Sequence, residues 1–240
     1  MNIALVFAGG VGKRINSKAK PKQFLEIYQK PIIVHTVEHF DNHPEIDAIC
    51  IVCVADWVDY MERIVKKYDL RKVRWIIPGG KTALDSQYLG LKAISEEEGA
   101  EDAVVLIHDG VRPLINDKTI SDCISSVKQY GSAVTVAMAT ETIIQKDEEG
   151  NVSITMPRSE CMLARAPQCF VLKDIMDVHE RSIENGNHTY IDSASMMLDY
   201  GFKVHTVLGP EENIKVTTPS DFYICRALLD AREESQLYGL

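Results

Sequence analysis

Residues 3–14, Ile-Ala-Leu-Val-Phe-Ala-Gly-Gly-Val-Gly-Lys-Arg, decide the fold of this chain. The five apolar residues 3–7 predict a short buried strand that leads directly into a glycine-rich turn. Such a turn lets backbone N–H groups approach a phosphate, because glycine accepts positive φ and has no Cβ in the way. Arg14 and Lys22 add positive charge close to this turn. The stretch therefore indicates an α/β protein that binds a nucleotide.

The composition limits the class of protein. The chain has 240 residues, 45% of them hydrophobic, which is enough for one α/β core. A net charge of −9 argues against a nucleic-acid-binding surface. No apolar run approaches the roughly 18–20 residues that cross a bilayer, and the N-terminus lacks the basic segment and cleavage site of a secretory signal. We expect a soluble, cytoplasmic protein that binds neither nucleic acid nor membrane.

The cysteines do not predict a metal site. Cys50 and Cys53 have a spacing that resembles zinc ligands, but they lie in an apolar strand pattern, residues 48–54. Residues three apart on a strand point to opposite faces and cannot share a metal. We expect the cysteines to be free, mostly buried thiols.

The order of elements predicts a mostly parallel central sheet flanked by helices, in a single domain that spans residues 1–240. Apolar runs predict strands at residues 3–7, 48–54, 74–77, 103–107, 132–137 and 204–208. Apolar residues at helical spacing predict helices at residues 31–40, 57–68, 82–97, 117–130, 173–185, 191–200 and 221–231. Strands that are apolar on both faces need helices on both sides of the sheet.

One segment departs from this alternation. Residues 140–158 contain two short extended runs, 142–145 and 152–155, joined by the charged turn 147–151. This pattern predicts a hairpin without a helix attached. Because a lone hairpin is marginally stable, we expect it to pack on something else, such as another subunit.

Three further motifs place polar chemistry beside predicted strand ends or a helix start. His-Asp-Gly-Val-Arg-Pro at residues 108–113 puts a carboxylate and a guanidinium where parallel sheets bind ligands. Residues 78–86 combine Gly79 and Gly80 with the Ser86 hydroxyl, and Lys215 precedes a predicted helix, a position that suits an anion. Taken singly, residues 108–113 also fit a structural Asp–Arg pair, residues 78–86 fit a plain turn, and Lys215 fits a surface lysine.

Together and in this order, the motifs resemble those of the IspD/TarI-like cytidylyltransferases. The family pattern AxGxGxR matches residues 8–14 and its PKQ matches residues 21–23. HDxxRP matches residues 108–113, and NIKxTTPxD matches residues 213–221. The resemblance covers nearly the whole chain. It implies a GT-A-like, Rossmann-like nucleotidyltransferase fold with a protruding β-hairpin arm, in a CTP-dependent enzyme.

The resemblance also implies roles for the matched residues. Arg14 and Lys22 would stabilise charge on the CTP phosphates, and Arg158 and Lys215 would grip the phosphate of the second substrate. The residues implied in binding CTP are Phe7, Ala8, Gly9, Gly10, Gly12, Gly79, Gly80, Ser86, Asp109 and Arg112. The joining of two phosphates needs no enzymic nucleophile, so positioning and charge neutralisation suffice.

The resemblance also implies a metal cofactor and a second subunit. Mg²⁺ would accompany CTP, with Asp109 and Asp192 as candidates to hold the ion or its water shell. Residues 139–160 would form a dimerisation arm that embraces the neighbouring subunit. The resemblance therefore implies a homodimer with shared sites.

The resemblance implies that the second substrate is a polyol phosphate, whose identity stays open at this point. In the family patterns, arginine is usual where Ala83 stands, QTPQ reads Arg-Ala-Pro-Gln at residues 165–168, and TDxA has Ile191 in its first position. Four features look more like the ribitol branch of the family: the start of the glycine turn, residues 21–26, residues 31–36, and Trp57. We expect D-ribitol 5-phosphate, used for teichoic acid or capsule precursors. The alternatives are 2-C-methyl-D-erythritol 4-phosphate of isoprenoid synthesis, another polyol or sugar phosphate, and a non-catalytic homologue that binds CTP or a CDP-alditol.

Overall fold

The first apolar run forms an inner strand of a seven-stranded sheet in a computed structural model, which describes residues 1–9, 20–187 and 189–238. The strands are β1 (Asn2–Ala8), β2 (Glu26–Ile27), β3 (Lys30–Pro31), β4 (Ala48–Cys53), β5 (Val73–Pro78), β6 (Val104–Asp109), β7 (Ser132–Met138), β8 (Ile143–Lys146), β9 (Val152–Met156), β10 (Met162–Val171) and β11 (Thr206–Leu208). The α-helices are α1 (Ile32–Asn42), α2 (Val58–Lys67), α3 (Ala83–Ser95), α4 (Asp117–Tyr130), α5 (Leu172–Glu184), α6 (Ser193–Asp199) and α7 (Pro219–Tyr238).

The main sheet has the strand order β11-β7-β10-β6-β1-β4-β5. Strand β10 runs antiparallel to both of its neighbours, and the other neighbouring strands pair in parallel. The prediction of a mostly parallel sheet flanked by helices is confirmed. Each predicted strand and helix is present; α4 has the predicted ends, and the ends of the others are shifted.

Strand β10 is the strand of the main sheet that the sequence pattern did not predict, and the short pair β2 and β3 was not predicted either. Arg165 and Pro167 interrupt the apolar residues of β10, and proline cannot donate to a strand ladder. The pairing with β7 is irregular between Ala164 and Gln168, so the strand lacks a continuous alternation. The Ala166–Pro167 peptide bond is cis.

The core lies on both faces of the sheet. In β1, Ile3 and Leu5 pack against α3, α5 and α6, whereas Ala4 and Val6 pack against α1, α2 and α4. Both faces of the strand are fully buried, which explains its unbroken apolar run. All six cysteines are free and buried.

A third apolar cluster joins α7 to the loop after β6. Val216 and Cys225 pack against Val111 and Leu114. The Val216 N–H also donates to the carbonyl oxygen of Val111 at 2.9 Å. This packing brings the segment that carries Lys215 to the carboxyl end of β6.

The hairpin of β8 and β9 forms a separate two-stranded antiparallel sheet. Its apolar side chains Ile144, Val152 and Ile154 are exposed in the single chain. Within the described residues, no helix is long and apolar enough to cross a membrane.

Candidate active site

Two of the sequence motifs meet at the carboxyl ends of adjacent strands. Strands β1 and β6 pair in parallel, and Phe7 of β1 lies opposite Asp109 of β6. The strand β4 follows on the other side of β1, and β5, which leads into Gly79 and Gly80, pairs with β4. Ligands bind at this edge of open α/β sheets.

The carboxylate of Asp109 is the centre of the site. Its Oδ1 lies 2.5 Å from Nζ of Lys215, and its Oδ2 accepts a hydrogen bond of 2.8 Å from Nε of Arg112. Burial works against the charged form, since Asp109 is only 6% exposed. The charges of Lys215 and Arg112 outweigh burial and hold the pKa of this carboxyl below its ordinary value.

Arg112 links this carboxylate to the segment that carries Lys215. Its Nη1 donates to the carbonyl oxygen of Asn213 at 2.9 Å, and Nδ2 of Asn213 donates to the carbonyl oxygen of Ala166 at 2.8 Å. Nε2 of His108 donates to the carbonyl oxygen of Arg112 at 3.2 Å. Burial lowers the pKa of His108 to about 4, so the ring is neutral and acts as a fixed donor. The site is thus built on a rigid buried network.

One cavity opens on the glycine side of Asp109. This cavity, which we call cavity A, has a volume of about 280 Å³. The residues that line it are Phe7, Ala8, Gly9, Lys22, Gln23, Gly80, Lys81, Thr82, Ala83, Ser86, Asp109, Val111 and Lys215.

The Ser86 hydroxyl organises the wall of cavity A. Its oxygen accepts from the N–H of Gly80 at 3.1 Å and donates to the carbonyl oxygen of Thr82 at 2.8 Å. A Cβ at Gly79 or Gly9 would lie 2.9 or 3.2 Å from this oxygen. The glycines therefore let two loops close around one buried hydroxyl, and this leaves room for a ligand.

Lys22 and Gln23 hold the next segment against the same cavity. Nε2 of Gln23 donates to the carbonyl oxygen of Ala8 at 2.5 Å, and Nζ of Lys22 donates to that of Val216 at 3.1 Å. Two lysines, Lys22 and Lys215, therefore approach cavity A from the same side.

A second cavity opens toward β10 and α6. This cavity, which we call cavity B, has a volume of about 300 Å³. The residues that line it are Phe7, Ala83, Gln87, Ile107, Asp109, Arg112, Ala164, Arg165, Ala166, Gln168, Ile191, Asp192 and Lys215.

Gln168 fixes the acidic side of cavity B. Its Nε2 donates to Oδ2 of Asp192 at 2.9 Å, and its Oε1 accepts from the N–H of Ala194 at 2.9 Å. The Ser193 hydroxyl donates to Oε1 of Gln87 at 2.8 Å. These bonds hold the start of α6 against the sheet.

Phe7, Ala83, Asp109 and Lys215 line both cavities and form their common wall. Nζ of Lys215 lies 5.8 Å from the centre of the Phe7 ring, a cation–π contact. A ligand in either cavity would therefore face the same lysine, and two anions held on the two sides would meet there.

The structure brings most predicted site residues together, and their roles stay predictions. Gly10, Gly12 and Arg14 lie outside the described residues. Arg158 lies in an exposed 3-10 turn after the hairpin, where its Nη1 donates to the carbonyl oxygen of Thr140 at 3.2 Å. It is absent from the residues that line either cavity.

The candidate metal ligands have other partners. Both oxygens of Asp109 face cations, and Asp192 accepts from Gln168 and from the N–H of Ser195 at 2.9 Å. In the described part of the chain, no three His, Cys, Asp or Glu side chains are grouped to hold a metal. These side chains do not form a cage for Mg²⁺, which in phosphate chemistry takes many of its ligands from substrate and water.

Sequence reasoning gave no role to three residues that shape the site. Arg165 and Gln168 lie in the strand that was not predicted, and Asn213 bridges Arg112 to Ala166. The signal available for Arg165 was an arginine two residues before a proline within a mostly apolar stretch.

Comparison with known proteins identifies related chains along the whole length. The model of the family described as "IspD: 2-C-methyl-D-erythritol 4-phosphate cytidylyltransferase" matches residues 2–231. A ribitol-5-phosphate cytidylyltransferase from Streptococcus agalactiae serotype III is 50% identical over 100% of both chains. A 2-C-methyl-D-erythritol 4-phosphate cytidylyltransferase from Clostridium botulinum (strain Loch Maree) is 38% identical over 95% of this chain and 97% of its own. The crystal structure of 4-diphosphocytidyl-2C-methyl-D-erythritol synthase from Anaerococcus prevotii superposes with a TM-score of 0.83 at 26% identity, over 95% of each chain.

Proposed function

The chain belongs to the IspD family of cytidylyltransferases, and on that premise we propose that it joins CTP to D-ribitol 5-phosphate, with CDP-ribitol and pyrophosphate as products. It is a CTP-dependent nucleotidyltransferase, as its family membership shows. The choice of acceptor is supported by full-length relatives at 50% identity that carry the ribitol name. The geometric observation that carries the proposal is the pair of cavities that share Asp109 and Lys215.

Each cavity suits one substrate. Cavity A has glycine backbone and the Ser86 hydroxyl for a nucleoside, with Lys22 near the phosphates. Cavity B has Asp192 and Gln168, which can bind the hydroxyl groups of a polyol. In this arrangement the acceptor phosphate and the α-phosphorus of CTP meet at the common wall.

The proposed reaction is an in-line displacement. An oxygen of the acceptor phosphate forms a bond to the α-phosphorus of CTP, the bond from that phosphorus to the β-phosphate bridge oxygen breaks, and pyrophosphate leaves. Lys22 and Lys215 neutralise charge that develops on the phosphate oxygens. Asp109 positions Lys215 through the 2.5 Å contact and leaves its charge available to both substrates.

Mg²⁺ would enter with CTP as part of the substrate, since the described side chains form no cage of their own. The ion would neutralise the triphosphate when bound. Among the described residues, Asp109 and Asp192 are the carboxylates that line the two cavities.

The hairpin arm supports a second part of the proposal. Arg158 borders neither cavity of its own chain, and the apolar side chains Ile144, Val152 and Ile154 of the arm are exposed. We place the arm, residues 139–160, against a second copy of this chain, where Arg158 would complete the acceptor site of the neighbour.

The product would serve teichoic acid or capsule synthesis in the cytoplasm.

A pyrophosphate-release assay tests the proposed function. Purified protein, CTP and Mg²⁺ are combined with ribitol 5-phosphate, with 2-C-methyl-D-erythritol 4-phosphate, or with no acceptor. We expect release with ribitol 5-phosphate and a CDP-ribitol mass in the products. Preferential release with the erythritol acceptor would assign the chain to the activity named by the family model. CTP binding without any release would indicate a non-catalytic homologue.

A further inference from the structure

Arg165 stands out among the residues of cavity B, because a donor of its guanidinium lacks a hydrogen-bond partner in the part of the chain that the structure describes. It lies in β10, partly buried, between Ala164 and Ala166, which also line the cavity. Its Nε atom is buried and has no hydrogen-bond partner among the described residues. An unpaired buried donor is costly, so such an atom in a ligand cavity indicates a bond that forms on binding.

The other cations of cavity B are already paired. Arg112 and Lys215 each contact an oxygen of Asp109, at 2.8 and 2.5 Å. Asp192, the other carboxylate of the cavity, accepts its hydrogen bonds from Gln168 and from the backbone of α6. Among the described residues that line cavity B, Arg165 is therefore the cation that contacts no carboxylate.

The surroundings of Arg165 add to this imbalance. Burial lowers the pKa of Arg165, and the positive charge of Arg112 nearby lowers it further. The guanidinium is thus held near a like charge. Ala83, elsewhere on the wall of the same cavity, supplies no charge. An anion bound between Arg165 and Lys215 would relieve both the missing hydrogen bond and the repulsion.

We propose that Arg165 binds the phosphate group of the acceptor in cavity B and selects acceptors that carry this group. The inference rests on the proposed function, because it identifies cavity B as the acceptor site. A guanidinium presents two parallel N–H donors that match two phosphate oxygens, and this geometry holds the phosphate in one orientation toward the common wall. Arg165 is a binding residue that touches the substrate and takes no proton.

Steady-state kinetics of Arg165→Gln test the proposal. We expect the KM for ribitol 5-phosphate to rise about 10- to 100-fold, as the loss of a charged hydrogen bond implies, with the KM for CTP unchanged. Inorganic phosphate, used as an inhibitor competitive with the acceptor, should lose affinity in parallel. Arg165→Lys, which keeps the charge and loses the fork, should recover part of the loss.

Arg71→Gln is the matched control, because Arg71 is exposed and pairs with Asp69 away from both cavities. It makes the same change in net charge and should leave every constant unchanged. An unchanged acceptor KM in Arg165→Gln would overturn the proposal. A raised acceptor KM with unchanged inhibition by inorganic phosphate would also overturn it, because Arg165 would then bind the hydroxyl groups of the polyol.

Direct binding separates this proposal from the proposed function. If the wild-type protein turns over no acceptor, the proposed function fails, and calorimetry with inorganic phosphate still tests Arg165. Weaker phosphate binding by Arg165→Gln than by Arg71→Gln would support the anion site. Equal phosphate binding by both variants would refute it.

Discussion

Oδ1 of Asp109 and Nζ of Lys215 lie 2.5 Å apart at the wall that cavities A and B share. The carboxylate is buried, whereas the lysine side chain is 40% exposed and can reach either cavity. The pair thus combines a fixed anion with a cation that lines both cavities. Arg112 on the other carboxylate oxygen keeps Asp109 in place.

Asp109→Asn should destabilise the fold, because it leaves Arg112 buried without its charge partner. We expect the free energy of unfolding at pH 7 to fall by about 3 kcal/mol, measured by urea denaturation. Asp102→Asn is the control, since Asp102 pairs with Lys173 on the surface and such pairs contribute little. Equal stability of Asp109→Asn and wild type would show that the network is not structural.

The lowered pKa of Asp109 predicts that the stability of the fold depends on pH. The pKa of Asp109 is lower in the folded protein than its ordinary value of 3.8, so the charged carboxylate stabilises the fold above that value. This contribution is lost as the pH falls from about 3.8 through the lower folded pKa. The stability difference between wild type and Asp109→Asn should therefore be constant near neutral pH and shrink in strong acid. A difference that grows on acidification would contradict the assignment.

Ser86→Ala should weaken CTP binding. The variant removes the oxygen that accepts from Gly80 and donates to Thr82, which loosens the wall of cavity A. We expect the KM for CTP to rise about tenfold, consistent with the loss of one or two hydrogen bonds, with the acceptor KM unchanged. Ser95→Ala, at the exposed end of the same helix, is the matched control. A normal KM for CTP in Ser86→Ala would contradict the placement of the nucleoside in cavity A.

Lys22→Ala should mainly lower kcat. If Lys22 stabilises charge in the transition state, its removal should slow turnover about 100-fold and change both KM values little. Lys173→Ala, on the surface and paired with Asp102, serves as the charge control. A raised KM for CTP at normal kcat would instead make Lys22 a residue of ground-state binding.

Mixed dimers test whether the active sites are shared. Arg158→Ala alone should mainly raise the acceptor KM, and Lys215→Ala should be nearly inactive. If one site combines Lys215 of one subunit with Arg158 of another, equal mixing after subunit exchange should restore about one quarter of the wild-type rate at low acceptor concentration. Lack of recovery would place both residues in the site of a single chain.

The sequence predicted the fold well where one physical rule controlled an element. Strand β1 has an unbroken apolar run, helix α4 (Asp117–Tyr130) has apolar residues at helical spacing, and Gly131 ends α4 at a φ of +81°. Strand β10 was missed because Arg165 and Pro167 break its apolar pattern, and tertiary pairing with β6 and β7 overrides that break. Local sequence could not reveal pairing partners so distant along the chain.

The sequence identified several residues that line the two cavities, but it could not give their geometry. Asp109, Arg112 and Lys215 were each identified from motifs, but their mutual contacts depend on the packing of α7 against the loop after β6. Arg165 had no assigned role because its importance comes from an unpaired buried atom, which only the structure shows.

The ratio of kcat/KM for ribitol 5-phosphate to that for 2-C-methyl-D-erythritol 4-phosphate tests the central claim most directly. Both acceptors would be assayed with saturating CTP and Mg²⁺ on one enzyme preparation, with pyrophosphate release as the readout. We predict that the ratio favours ribitol 5-phosphate by about 100-fold, with CDP-ribitol as the product. A ratio of one or below, or the absence of turnover with both acceptors, would contradict the account.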